Sequence, residues 1–107
     1  MQDFSVFDEI AALGDNWNGY GAEPFEPIFV GHCRDIAVQL VVEPEVFPTA
    51  CNSIQFEYEN DEVYLEFEIF EDCVDIFVMK NGKVEKDCKI YTDYVNQMNK
   101  LIKYYGF

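Results

Sequence analysis

The stretch SIQFEYENDEVYLEFEIFED, residues 53–72, alternates apolar and polar side chains twice, with a polar break between the two runs. The first run sets Ile54, Phe56 and Tyr58 against Gln55, Glu57 and Glu59; the second sets Val63, Leu65, Phe67 and Ile69 against Tyr64, Glu66, Glu68 and Phe70. A period of two is typical of strands with one buried face. The stretch therefore predicts two neighbouring antiparallel strands with an apolar inner face and an acidic outer face.

The segments that follow extend this pattern towards the C-terminus. CVDIFVMK, residues 73–80, predicts a third strand, and KVEKDCKI, residues 83–90, predicts a fourth. Asn81-Gly82 between them is a strong signal for a tight hairpin. Apolar and polar residues alternate less clearly in the fourth strand, so the sequence does not decide which of its faces points inward. From about Thr92 to Tyr104, apolar residues recur at helical spacing and predict a C-terminal helix.

The segments before the stretch predict two helices. Residues 3–13 place apolar side chains at helical spacing, and residues 14–26 form a loop rich in Gly, Pro and Asn. Pro27 suits the first position of a second helix, which we expect to run to about Val42. The predicted fold is thus α+β: two N-terminal helices, a four-stranded antiparallel β-meander and a C-terminal helix, with the helices packed on one face of the sheet.

Length and composition predict a single domain, residues 1–107, with its own core, since half of the residues are hydrophobic. No apolar run reaches the roughly 20 residues of a membrane helix. The first 13 residues, MQDFSVFDEIAAL, have acids where a signal peptide needs bases, so we expect a cytoplasmic location. None of the four cysteines, Cys33, Cys51, Cys73 and Cys88, forms a C-x-x-C pair, so we expect reduced, buried thiols.

The charge of the chain is strongly unbalanced. It carries 21 acidic and 7 basic side chains, a formal net charge of −14. Residues 1–79 hold 18 of the acids with one base, Arg34, whereas residues 80–107 hold three acids and six lysines. Direct binding to nucleic acid or to an anionic membrane is disfavoured, because both need lysine and arginine. Long-range attraction favours a basic partner instead.

Motifs of catalysis and metal binding are weak in this sequence. His32 is the one histidine, and on a helix the neighbouring Cys33 points about 100° away from it, which makes a poor dyad. No H-E-x-x-H, phosphate-loop or G-x-S-x-G pattern occurs. ENDEVYLE, residues 59–66, places Glu59, Asp61 and Glu62 close together but lacks the glycine of a calcium loop. We therefore predict a protein that is not an enzyme and uses no metal or cofactor.

The segment DNWNGYGAEP, residues 15–24, holds the single tryptophan of the chain. We interpret it as a structural loop in which two large side chains plug one end of the core and two glycines adopt special backbone angles: Trp17, Tyr20, Gly19 and Gly21. Asn16 and Asn18 are suited to hydrogen bonds with their own backbone in turns. A ligand-binding role for Trp17 and Tyr20 is the alternative, and it predicts a deep pocket lined by both.

The motif Asn16-Trp17-Asn18-Gly19-Tyr20-Gly21-Ala22, followed by Pro24, resembles the NWDGYGA-x-P signature of a family of small, mostly uncharacterised proteins from bacteria, prophages and other mobile elements. The resemblance continues through residues 53–60, with Tyr58 where Trp is frequent, and through residues 64–82, so it covers nearly the whole chain. It implies a mobile-element context but no catalytic residues, because the family has no agreed activity. Asn18 stands where Asp is usual, which weakens any acid or metal role there.

The outward acids of the predicted strands are the candidate partner-binding residues, together with one aromatic: Glu57, Glu59, Tyr64, Glu66, Glu68 and Asp75. Rows of like charge cost stability, so the pattern is either a solubilising face or a recognition surface. We hypothesise a phage or mobile-element inhibitor of anti-CRISPR type, a DNA mimic that blocks a basic, nucleic-acid-binding defence protein such as a CRISPR effector. Alternatives are an immunity or antitoxin-like protein that occludes a cognate enzyme, and a small ligand-binding domain.

Overall fold

The computed structural model of the protein describes residues 4–107 as three helices and a five-stranded sheet. The elements, in chain order, are α1 (Ser5–Ala11), α2 (Pro27–Ala37), β1 (Glu45–Pro48), β2 (Ile54–Glu59), β3 (Val63–Ile69), β4 (Val74–Lys80), β5 (Lys83–Ile90) and α3 (Tyr94–Tyr104). The strands lie in the order β1-β2-β3-β4-β5, and every neighbouring pair is antiparallel. The predicted α+β class with an antiparallel meander is confirmed. The predicted start of the first helix, residue 3, lies outside the described residues.

The predicted number of strands is wrong, because β1 lies between the predicted end of the second helix and residue 53, where no strand was predicted. This strand is four residues long and pairs with β2 in a register that sets Glu45 opposite Glu57 and Pro48 opposite Ile54. Proline has no N–H for a strand ladder, so it is tolerated only on edge strands or strand ends. Both conditions hold for Pro48, which is the last residue of the edge strand β1. A proline in the sequence therefore does not rule out a strand at this position.

The second helix ends at Ala37, five residues before its predicted end. The chain tightens after it, since the N–H groups of Gln39 and Leu40 donate to carbonyls only three residues back. Asn99 of α3 then satisfies the turn from a distance: its Oδ1 accepts from the Val41 N–H at 2.9 Å, and its Nδ2 donates to the Gln39 carbonyl at 3.1 Å. A distant side chain therefore replaces the last turn of helix.

The inner face of the sheet forms one hydrophobic cluster with residues of all three helices. The cluster takes every second residue of the central strands, as the alternation predicts. The strand members are Ile54, Phe56, Tyr58, Val63, Leu65, Phe67, Ile69, Val74, Ile76 and Val78, and the helix members include Phe7, Ile10, Val30, Cys33, Ile36, Met98 and Ile102. The alternate residues of these strands lie on the opposite face and are half-buried or exposed.

The fourth predicted strand, β5, contains an irregularity that breaks its alternation. Val78 pairs with Lys86, but the next residue, Met79, pairs with Val84, so Glu85 has no partner in the ladder. An extra residue of this kind is a β-bulge. The Glu85 carboxylate accepts a hydrogen bond from the Tyr105 hydroxyl just after α3.

Among the helices of residues 4–107, none is long and apolar enough to span a bilayer.

Candidate functional site

The outer face of the sheet collects seven carboxylates from all five strands. Strand register places Glu45, Glu57, Glu59, Glu66, Glu68, Asp75 and Asp87 on this side, with Phe47, Tyr64, Phe77 and Met79 among them. We call this set the acidic sheet face. All six partner-binding residues predicted from the sequence belong to it. In the described chain, Lys89 is the one base that the register places on this face.

The centre of the acidic sheet face is a row of three glutamates from neighbouring strands. Glu57 lies opposite Glu45 on one side and opposite Glu66 on the other. Partial burial raises the pKa of Glu57, and the carboxylates of Glu66, Glu45 and Glu59 raise it further, while a hydrogen bond from Tyr64 acts against the rise. Directly opposed like charges destabilise a sheet, so the row costs folding free energy.

Tyr64 supplies the hydrogen bond that partly relieves this repulsion. Its hydroxyl donates to Glu66 Oε1 at 2.7 Å. Burial, together with the hydrogen bond to Glu66 and the charges of Glu66 and Glu57, raises the pKa of Tyr64 well above its ordinary value. The phenol therefore remains a proton donor at any physiological pH, and the carboxylate next to it is held in a fixed position.

The second row of the face is partly neutralised. Glu68 lies opposite Asp75, and Asp75 lies opposite Lys89. Lys89 Nζ is 2.6 Å from Asp75 Oδ1, and both side chains are partly exposed. Asp75 was predicted as one of the outward acids that bind a partner, and this ion pair reduces its share of the negative field. Glu68 accepts a hydrogen bond from the buried hydroxyl of Ser53, which fixes its carboxylate.

Aromatic side chains interrupt the carboxylates. The rings of Tyr64 and Phe77 meet edge to face with centroids 6.5 Å apart, and Phe47 is exposed on β1. The sequence interpretation missed Phe47 and Phe77. Strand alternation in CVDIFVMK contains the signal for Phe77, whereas Phe47 could not be placed because β1 itself was not predicted. The ring centroid of Phe70, just after β3, lies 5.9 Å from Lys89 Nζ.

The loop of residues 15–24 has the turn chemistry expected from its sequence. Asn16 Oδ1 accepts from the Gly21 N–H, and Asn18 Oδ1 accepts from the N–H groups of Tyr20 and Ala22. Gly19 and Gly21 have φ of +78° and +85°, angles that side chains disfavour. The asparagines and glycines therefore close the loop on itself, as predicted.

The two aromatic side chains of this loop behave differently. Trp17 is half-buried, its ring centroid lies 6.1 Å from that of Phe25, and its Nε1 donates to the Glu23 carbonyl at 3.0 Å. The inward plug predicted for Tyr20 is wrong, because its side chain is 92% exposed. The turn closed by Asn18 directs the Tyr20 side chain into solvent.

A groove lies beside this loop and between distant parts of the chain. Its volume is about 650 Å³, and it is lined by Phe25, Glu26, Ile28, Phe29, His32, Asn52 and Glu71. We call it the end groove. Neither Trp17 nor Tyr20 lines it, so this groove is not the pocket expected for a ligand-binding loop. In the described part of the chain, His32 Nε2 is buried without a hydrogen-bond partner.

Residues 4–107 contain no group of three His, Cys, Asp or Glu side chains arranged to hold a metal. The cysteines are free, but the expectation that all are buried is wrong: Cys51 and Cys88 are exposed, Cys51 in a turn and Cys88 on the edge strand β5. Burial raises the pKa of Cys33 to about 12, which leaves it a thiol and a poor nucleophile.

No family model matches this chain, and comparisons with curated proteins and with solved structures give no match.

Proposed function

We propose that the protein is a non-catalytic binding protein whose acidic sheet face occupies the basic nucleic-acid-binding surface of another protein. The observation that supports this most directly is the concentration of seven carboxylates, against one lysine, on a single face. Neighbouring strands lie about 4.8 Å apart, and alternate residues along a strand lie about 6.7 Å apart. The face therefore presents a dense, ordered array of negative charge to a groove built for phosphates.

The chemistry of the face also suits recognition more than mere solubility. A solubilising face needs only charge, whereas here Tyr64 fixes the Glu66 carboxylate and Ser53 fixes that of Glu68. Fixed acceptors lose less entropy when a guanidinium binds to them. The exposed and half-buried aromatics supply apolar contact area between the charges. In this proposal the partner is a defence protein that handles nucleic acid, such as a CRISPR effector. The resemblance of residues 16–24 to a motif of proteins from mobile elements supports that context.

Binding to a nucleic-acid-handling effector, with and without its nucleic acid, tests the proposal. We expect salt-sensitive binding that the nucleic acid competes away, because both ligands use the same lysines and arginines. The variant Glu57→Gln/Glu66→Gln/Glu68→Gln should weaken binding by about 10- to 150-fold if each of the three lost charge pairs contributes about 0.5–1 kcal/mol. The control Glu9→Gln/Asp35→Asn/Glu62→Gln removes the same net charge from exposed positions outside the face.

The two variants separate local recognition from net charge. Equal weakening by both would show that only the overall charge attracts the partner. Tight binding that neither variant changes, or that nucleic acid does not displace, would refute the mimicry. Binding confined to a single enzyme that does not bind nucleic acid would favour the immunity or antitoxin-like alternative.

A further inference from the structure

The end groove combines three segments that are far apart in sequence. Residues 25–32 contribute its long wall, Asn52 comes from the turn between β1 and β2, and Glu71 comes from the turn between β3 and β4. In an antiparallel meander these two turns lie at the same end of the sheet. The groove is therefore formed only by the folded chain, and its lining is separate from the acidic sheet face.

Its apolar wall is built from stacked rings. Phe25 and Phe29 are parallel within 11°, with centroids 6.5 Å apart, and Trp17 supports Phe25 from the loop side. Ile28 at the margin of the groove is 89% exposed, although it occupies the second position of α2. A side chain of this size in water leaves apolar area that a bound ligand would remove from solvent.

The polar part of the lining holds two carboxylates, one amide and the imidazole of His32. Glu26 and Glu71 contribute carboxylates, and Asn52 contributes an amide whose Nδ2 lies 3.5 Å from Glu23 Oε2. The lining of the groove includes no lysine or arginine. Phosphate or carboxylate ligands are disfavoured by the two carboxylates, whereas a cation with a flat face would meet both the carboxylates and the half-buried ring of Phe29; the Phe25 ring is buried.

We propose that the end groove docks a segment of a partner protein that presents an arginine beside a bulky apolar side chain. A guanidinium stacks on aromatic faces and takes carboxylates in a forked geometry, which the ammonium of lysine does not. The neighbouring apolar side chain would cover Ile28, a contact that a free small cation cannot make. The groove makes these contacts whether or not the acidic sheet face binds anything, so the two proposals stand apart.

Titration of the ¹⁵N-labelled full chain with blocked dipeptides tests this assignment. The probe is acetyl-Leu-Arg-amide, and acetyl-Leu-citrulline-amide is its uncharged isostere. At low salt we expect amide shifts confined to residues 25–32, Asn52 and Glu71, with a dissociation constant near or below about 10 mM, as suits a two-residue ligand. We expect the citrulline probe to bind roughly fivefold more weakly, since exposed ion pairs contribute up to about 1 kcal/mol.

Variants and a second probe complete the experiment. Glu71→Gln and Glu26→Gln should each weaken the arginine probe about two- to fivefold. Glu62→Gln, in the turn at the opposite end of the sheet, should leave it unchanged. Equal binding of both dipeptides, shifts spread over the acidic sheet face, or no shifts at about 10 mM would overturn the proposal. Methylguanidinium binding as tightly as the dipeptide would overturn the docking of a protein segment in favour of a free cation.

Discussion

The Tyr64 hydroxyl donates to Glu66 Oε1 at 2.7 Å, two residues further along the same strand. Residues i and i+2 of a strand share a face, so this bond lies within the acidic surface and does not join two layers. Tyr64 therefore gives a neutral hydrogen-bond donor to the Glu57–Glu66 part of the glutamate row.

Removal of that donor should destabilise the fold. We expect Tyr64→Phe to lower the free energy of unfolding by about 1 kcal/mol at pH 7, because the carboxylates lose a donor that offsets their repulsion. Urea denaturation measures the change. Tyr20→Phe is the matched control, since its side chain is exposed and its hydroxyl makes no hydrogen bond that the structure shows. A Tyr64→Phe protein as stable as the control would show that water replaces the hydroxyl at no cost.

The raised pKa of Glu57 predicts a specific dependence of stability on pH. An acid whose pKa is higher in the folded state binds its proton more readily there, so its charge costs stability at pH 7 and this cost disappears as the pH falls below the ordinary value of 4.5. We expect Glu57→Gln to stabilise the protein at pH 7 by about 0.2–1 kcal/mol, the range for one opposed like-charge pair. Urea titrations between pH 7 and pH 4 should show this gain shrinking. A gain that is constant with pH would assign it to packing instead of charge.

Salt should stabilise this protein more than a protein of balanced charge. Its net charge of −14 is unevenly spread, and raising the ionic strength from 0.01 M to 0.15 M shortens the screening length from about 30 Å to about 8 Å. We expect Tm to rise over this range. The rise should be smaller in Glu57→Gln/Glu66→Gln, which lacks the central repulsion, than in the control Glu9→Gln/Glu62→Gln. Identical salt responses would mean that net charge alone determines the effect.

The two aromatics of the 15–24 loop should differ sharply in their contribution to stability. Trp17→Ala removes the contact with Phe25 and the hydrogen bond to Glu23, so we expect a loss of about 2–4 kcal/mol. Tyr20→Ala should change stability by less than about 0.5 kcal/mol, as is usual for surface positions. Thermal unfolding of both variants distinguishes them. Comparable losses would place Tyr20 in a contact that its exposure does not suggest.

The parts of the fold that the sequence predicts are those specified locally. Apolar and polar side chains alternate within residues 54–59 and 63–69, as a sheet with one buried face requires. The pair Asn81-Gly82 is by itself a signal for a tight turn. β1 could not be found in this way, because Pro48 is more typical of a loop than of a strand. The strand that pairs with β1 is β2, which follows only after a turn. The exposure of Tyr20 depends on the direction in which its turn faces, and the residue type alone does not specify that direction.

The candidate site divides along the same line. The acidic sheet face follows from alternation within each strand, so the sequence alone places Glu57, Glu66 and Glu68 on one face. The end groove joins residues 25–32 to Asn52 and Glu71, and no short-range pattern connects them. Its exposed Ile28 is an ordinary helix residue in the sequence and becomes noteworthy only once its surroundings are known.

The two edge strands of the sheet, β1 and β5, also affect whether molecules of this protein associate through their sheets. β1 is four residues long and ends in Pro48, and β5 carries the bulge at Glu85 together with Lys83, Lys86 and Lys89. Short length, proline, bulges and lysine are the devices by which sheets avoid adding a foreign strand. A chain that is rich in β-forming aromatics is thereby protected against growth into fibrils from either border of its sheet.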